Sequence, residues 1–145
     1  MQIKKVQDEL DVKRGVNLFV EVMGESPYFE NWSKEDAEKR LMHSFSKAKD
    51  FAFFAEENGK AIGLLFCATY IWDDGIHVFV EDLYVDKEFR GKGAAKNLVE
   101  ALEKTAKEKG IVVIDLFAHT QAKAFDFWKK MGYKQTHFVQ MQKKL

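Results

Sequence analysis

A chain of 145 residues, 46% hydrophobic with thirteen Phe and three Trp, suits one compact domain over residues 1–145 and leaves little room for a second. Its 23 Lys and Arg balance 23 Asp and Glu, so no global field exists to hold a polyanion, and neither nucleic acid nor acidic membrane is an expected partner. Cys67 stands alone, which excludes an intrachain disulfide and a Cys-rich zinc site, and with no signal core in MQIKKVQDELDVKRG and no run near the ~18 apolar residues of a membrane span, a soluble, cytoplasmic protein is expected.

The first predicted element is a short strand over residues 2–6. Val12, Val16, Phe19, Val20 and Met23 then recur at helical spacing and predict an amphipathic helix that Gly24 stops. ESPYFENW is an aromatic-rich connection, after which Ser33 caps a second helix whose first turn carries Glu35 and Asp36. Two apolar runs around Asn58-Gly59 read as a hairpin, and a break at Asp73-Asp74-Gly75 leads into a third consecutive antiparallel strand, IHVFVEDLYV.

Next comes a helix with Ala95, Leu98, Val99, Leu102 and Ala106 on one face, ended by Gly110. IVVIDLFA is apolar enough to predict a strand covered on both faces. A short helix from about Ala122 to Met131 follows, and YKQTHFVQMQKKL supplies one or two last strands. The element order is β-α-α-β-β-β-α-β-α-β-β. His43, His77, His119 and His137 lack metal-ligand spacing, so no metal site is expected.

The segment VEDLYVDKEFRGKGAAKNLVEAL carries the most chemistry: a strand, a loop with two glycines, then a helix that begins at the second. Such a junction points unpaired backbone N–H groups and the positive end of a helix dipole at one spot, where an anion sits. Gly91 and Gly93 free the main chain to approach a phosphate, and Arg90, Lys92 and Lys96 add screening charge. The P-loop pattern and the three-glycine dinucleotide fingerprint are both absent. A bare glycine turn at a helix start is the bland alternative.

Arg90-x-x-Gly93-x-Ala95 resembles the (Gln/Arg)-x-x-Gly-x-(Gly/Ala) motif of the GNAT superfamily of N-acetyltransferases. QAKAFDFWKKMGY is similar to that family's second signature, with Gln121 in the Asn place, Ala124, Phe127 and Gly132 matching, Trp128 in the Tyr place and Tyr133 in the Phe place. The resemblance implies a mixed, mostly antiparallel α/β sheet of six to seven strands flanked by about four helices. It implies acetyl-coenzyme A as cofactor and transfer of its acetyl group to an amine, by direct attack in a ternary complex.

Residue by residue, the resemblance gives Leu83, Tyr84 and Val85 main-chain bonds to the pantetheine arm. The diphosphate falls to the N–H groups of Gly91, Lys92, Gly93, Ala94, Ala95 and Lys96, with Arg90 as loop organiser or phosphate neighbour and Gln121 beside the cofactor. Glu81 takes the place of a base, the Glu-Asp pair of EDLYV being especially similar to the diamine branch. Asp82 attracts a cationic acceptor if a bulge turns it to the same face as Glu81. A salt-bridged strand carboxylate is the alternative for Glu81, and His77 or Asp115 are alternative bases.

Trp128 departs from the family Tyr that protonates the leaving sulfur, since an indole donates a hydrogen bond but not its proton. Either the thiolate leaves directly, with Trp128 packing along the pantetheine, or Tyr84 or another hydroxyl substitutes, or catalysis has been lost and the domain is a silent acetyl-coenzyme A-binding regulator. Tyr28, Phe29 and Trp32 fall where such enzymes build the acceptor wall, and are otherwise core under a loop. The acceptor is a small-molecule amine such as a polyamine, or a peptide or protein amine. Pairing of FVQM near the C-terminus between two copies gives an expected homodimer.

Overall fold

A computed structural model describes all residues, 1–145. Five strands form one sheet in the order β1-β2-β3-β4-β5: β1 Gln2–Lys5, β2 Phe53–Glu57, β3 Lys60–Trp72, β4 Gly75–Val85 and β5 Val113–Leu116. The first four run antiparallel, and β5 joins β4 in parallel after a helical crossover. Asn58 and Gly59 both take positive φ in the β2–β3 turn, as a tight hairpin of matching twist requires.

Helices cover both faces. On one side lie α1 Glu9–Lys13, α2 Val16–Gly24 and α3 Lys34–Lys47; on the other lie α4 Ala94–Glu108 and α5 Lys123–Lys130. Ser33 caps α3 by accepting from the Asp36 N–H at 3.0 Å, with Glu35 and Asp36 in the first turn. The apolar stripe of α3 (Ala37, Leu41, Phe45) packs with Phe19 of α2 onto Phe54, Leu64, Phe66 and Tyr84. Leu98, Val99 and Leu102 of α4 pack with Trp128 onto Ile62, Leu65, Val78 and Val80. Residues 61–67 are therefore apolar without alternation because both faces of β3 are covered.

The structure corrects three sequence expectations. The single helix expected before Gly24 is two short ones, interrupted at Gly15, where the Leu64 side chain approaches to within 2.9 Å of the place a Cβ would take. Five strands replace the six to seven expected, because residues 134–145 form no strand. Their apolar side chains lie in solvent, Phe138 at 85% and Met141 at 89% exposure, so hydrophobicity alone did not supply a ladder partner. Finally, IVVIDLFA yields only the four residues of β5, all half-buried rather than covered on both faces, because β5 is a sheet edge.

Candidate active site

Two features of β4 position the site: where its partner β5 stops, and where it bulges. The parallel pairing spans only His77–Val80 against Val113–Leu116, yet β4 runs on to Val85. The Asp86 N–H donates to Ile62 O on β3 at 2.9 Å. By the alternation of an antiparallel ladder, Tyr84 also directs its main-chain groups to β3, while Leu83 and Val85 direct theirs to the opened side. Of the three residues expected along the pantetheine, Leu83 and Val85 therefore have outward main-chain groups and Tyr84 does not.

β4 leads through a short 3₁₀ turn, Lys87–Phe89, into the glycine loop. Gly91 (φ 75°) and Gly93 (φ 88°) both lie in the left-handed region, and Gly93 is the N-cap of α4. A Cβ at either would meet open space, so the backbone conformation and not crowding selects glycine. The main-chain N–H groups of Gly91, Gly93, Ala94, Ala95 and Lys96 have no protein acceptor, and that of Lys92 has only a 3.4 Å contact with Phe89 O. Five donors thus converge at the positive end of a fifteen-residue helix.

Arg90 braces this loop: its Nε donates to Val85 O at 3.0 Å and its Nη1 to Glu25 Oε2 at 2.8 Å. Lys92 leans over the Phe89 ring, 5.2 Å from its centroid, and Lys96 stands in solvent near Glu100.

Trp128 lies buried in the same core as Leu83, Val85, Phe89 and Leu116, edge-on to Phe127 and Tyr133, at centroid distances of 5.2 and 4.9 Å. Tyr133 donates to Glu103 Oε1 at 3.2 Å, and burial pushes its hydroxyl far above the usual range. Gln121 is exposed ahead of α5, its N–H donating to His119 Nδ1 at 3.1 Å.

The bulge falls at Glu81. Phe66 faces Asp82 and Cys67 faces Val80, so Glu81 has no partner, and Glu81 and Asp82 both turn to the α3 side. Asp82 is fully buried and both its oxygens are engaged. Arg40 Nη2 donates to Oδ1 at 2.8 Å and Nη1 to Oδ2 at 3.1 Å, and the Tyr84 hydroxyl also donates to Oδ1. Burial, and then the Asp82 charge, hold the Tyr84 hydroxyl well above its usual range, so it is a fixed donor. Glu81 differs: Lys47 Nζ meets Oε1 at 2.7 Å, while Oε2 is buried without a hydrogen-bond partner. Arg40 and Lys47 escaped the sequence reading. Their spacing of seven on α3, beside the Ala37–Leu41–Phe45 stripe, was the available signal, but nothing local says which strand they meet.

Four residues earlier on β4, His77 sits between two carboxylates: Nδ1 is 3.0 Å from Asp115 Oδ2 and Nε2 is 2.6 Å from Asp74 Oδ1, and Asp115 also accepts from Tyr70. Carboxylates at both ring nitrogens favour the imidazolium form of His77, which is held above its usual range first by Asp115 and then by Asp74. Burial and Asp115 push Tyr70 up to about 12. His77 and Asp115 are thereby occupied with each other, Asp74 and Tyr70.

The aromatics of the connection separate. Tyr28 meets the His119 ring edge-on at 5.9 Å, bridging the connection to the loop after β5. Phe29 is 74% exposed, and Trp32 packs against Phe19 at 5.0 Å while its Nε1 donates to Glu30 at 2.8 Å. Only Tyr28 of the three reaches across, and His119, its partner, was not singled out by sequence.

Residues 19–133 match the model of the acetyltransferase (GNAT) family. An uncharacterized N-acetyltransferase of Methanocaldococcus jannaschii is 28% identical over 96 residues, covering 63% of this chain and 42% of that one. Thialysine N-epsilon-acetyltransferase of Caenorhabditis elegans is 33% identical over 82 residues, 57% of this chain and 47% of that one. The matches therefore span less than half the length of these curated relatives.

A possible acetyltransferase from Clostridium difficile 630 shares the fold at TM-score 0.82 and 13% identity, covering 99% of this chain and 97% of the other. AAC(6')-Iy, in complex with the bisubstrate analog CoA-S-monomethyl-acetylneamine, shares it at TM-score 0.76 and 19% identity, covering 99% and 97%. No helix is long and apolar enough to cross a membrane.

Proposed function

The chain belongs to the acetyltransferase (GNAT) family, and from that premise we propose that it transfers the acetyl group of acetyl-coenzyme A to a primary amine, with Glu81 as the base. The observation that carries this reading is the row of unpaired N–H groups from Gly91 to Lys96 beside the unpaired edge of β4. A diphosphate needs converging neutral donors, and a pantetheine amide needs a strand edge; the two adjoin here. Gly91, Gly93, Ala94, Ala95 and Lys96 would hold the diphosphate, Lys92 and Gln121 would border the cofactor, and Leu83, with the N–H of Val85, whose carbonyl Arg90 holds, would bond the pantetheine. When bound, acetyl-coenzyme A supplies an acyl thioester, open to attack at its carbonyl carbon and with sulfur as leaving group.

The chain's own residues do the rest. An alkylammonium of pKa near ~10 is free base in only about one molecule in a thousand at neutral pH, so a base is needed. Glu81, at the bulge and with a side chain still 17% exposed, takes that proton directly or through a water. Asp82, locked by Arg40 and Tyr84, acts as a strut behind Glu81 and not as a receptor for the acceptor's charge. Trp128 walls the pantetheine side, and a thiol of pKa about 8.5 leaves as thiolate without an acid. Tyr28, with His119, borders the acceptor.

The acceptor is a small amine, a polyamine among the candidates, or a peptide or protein amine; thialysine, in the nematode relative's name, is itself an amine. Cys67, buried and with its thiol raised by burial, fits a reducing, cytoplasmic setting. The exposed run around Phe138 and Met141 is the segment through which two copies would pair.

The test is release of free thiol from acetyl-coenzyme A against diamines, aminoglycosides, amino acids and peptides, with wild type and Glu81→Gln. The expected result is amine-dependent release that falls about 100-fold in Glu81→Gln, with KM for acetyl-coenzyme A unchanged. Trp128 in the Tyr place favours one other reading, a silent acetyl-coenzyme A-binding regulator. Binding of acetyl-coenzyme A with no release by any amine would establish that reading and overturn ours.

A further inference from the structure

The slot between β4 and β5 opens at their carboxyl ends, where β4 runs on past its last partner. Each strand leads there into its own loop, β4 into the glycine loop and β5 into the segment that carries His119. One short turn touches both loops. Glu25 Oε2 accepts from Arg90 Nη1 at 2.8 Å on the β4 side, and three residues later the Tyr28 ring meets His119 at 5.9 Å on the β5 side. Burial raises the Tyr28 hydroxyl above its usual range and the Arg90 charge opposes that rise, so these two side chains lie within electrostatic reach of each other. Residues 25–28 therefore bridge the mouth of the slot.

The bridge is hinged on Glu25. Its carbonyl accepts from the N–H groups of Tyr28 and Phe29, at 2.9 and 3.0 Å, and the Glu30 N–H reaches back to Met23 O at 2.8 Å. Phe29 sits at φ 50°, a left-handed backbone that a bulky side chain does not adopt without strain. None of residues 24–30 is buried, so the turn is held at its ends and not by core packing. Its β4 anchor is an ion pair whose side chains are 45% and 35% exposed, and such a pair yields to a stronger partner. Arg90 Nε is committed to Val85 O, so the guanidinium stays on the loop whatever Nη1 does.

A diphosphate on the amides that follow Arg90 carries two negative charges. Arg90 is drawn to that dianion more strongly than to one carboxylate, and Glu25 is repelled by it. We propose that the Glu25–Arg90 pair is a latch between the two substrate sites: Arg90 passes from Glu25 to the bound diphosphate, and the strained turn lifts to admit the acceptor beside Tyr28. This rests on the reading of the glycine loop as the diphosphate site. It makes binding ordered, acetyl-coenzyme A before the amine, and it gives Glu25 a role that touches no reacting atom. Because such coupling is reciprocal, a turn opened in advance tightens the cofactor.

The experiment is residue-resolved amide exchange with and without saturating acetyl-coenzyme A, on wild type and Glu25→Gln. In wild type the amides of Gly91, Gly93, Ala94, Ala95 and Lys96 slow, whereas those of Tyr28 and Phe29 exchange at least about threefold faster, a sign that simple bracing would not give. In Glu25→Gln the latch is already open. Tyr28 and Phe29 then exchange fast with or without cofactor, and acetyl-coenzyme A binds about threefold tighter by calorimetry, since no carboxylate competes for Arg90. Unchanged or slower exchange at Tyr28 and Phe29, in a protein whose loop amides do slow, overturns the latch and leaves the diphosphate site standing. Unchanged or weaker affinity in Glu25→Gln overturns it as well. Loop amides that do not respond at all sink the diphosphate reading itself, and the latch with it.

Discussion

At the carboxyl end of β4 the site is made of main chain, five unpaired N–H groups within six consecutive residues that include two positive-φ glycines, and a strand edge with no neighbouring strand. On the α3 face, at the bulge, it is made of side chains brought from afar, with Lys47 reaching Glu81 across 34 positions of sequence and Arg40 reaching Asp82 across 42. The first construction is local and tolerates any side chain that leaves the backbone in place. The second depends on a helix docked on a sheet, and each of its charges has one assigned partner. A family can keep the first while the second is rebuilt for a new acceptor, because no residue is shared between them.

The largest effect should come from the main-chain half. Gly93→Glu puts a Cβ on a residue at φ 88° and a negative charge at the helix N-terminus. Affinity for acetyl-coenzyme A is expected to fall on the order of 100-fold by calorimetry. A Cβ there meets nothing, so the fold should survive, but the left-handed backbone strains any L side chain and the melting temperature should fall by a few degrees.

On the side-chain half, Tyr28→Ala removes the ring that meets His119 and should raise the acceptor's KM about fivefold in steady-state assays while leaving that of acetyl-coenzyme A alone. Phe29→Ala, at an exposed ring, should change neither. Equal effects from Tyr28→Ala on both substrates would blur the division.

Trp128→Tyr tests the boundary between the halves. If the thiolate departs without an acid, supplying the family's hydroxyl changes kcat by less than about threefold. A large gain would mean that an acid was missing.

The last expectation concerns stability alone. His77 is held above its unfolded value of about 6.5 by Asp115 and Asp74. Its contribution is therefore fully present below pH ~6.5 and is lost as pH rises through the higher folded value. Melting temperature across that window should fall more steeply in wild type than in His77→Gln, and parallel curves would show that the pairing adds nothing.

The same contrast explains what could be read in advance. Asn58-Gly59, Ser33 and the glycine loop declare themselves because backbone conformation is written in adjacent residues, and the two signatures around Gly93 and Gly132 add register. Glu81 was legible only through resemblance. That Asp82 turns to the same face depended on a bulge that alternation cannot foresee, and the Arg40 and Lys47 partners depended on packing. The terminal strand failed for the complementary reason: an apolar, β-prone run such as THFVQM states a preference, but a strand exists only where an edge receives it, and residues 134–145 meet none.

The claim on which the rest depends is that exposed main-chain hydrogens at the start of α4 grip a diphosphate. Residue-resolved amide exchange with and without acetyl-coenzyme A measures those hydrogens themselves. Exchange at Gly91, Gly93, Ala94, Ala95 and Lys96 should slow by at least about tenfold when the cofactor is saturating, while the solvent-facing amides of residues 134–145 stay unchanged. Unaltered exchange at all five amides under saturating cofactor would contradict it.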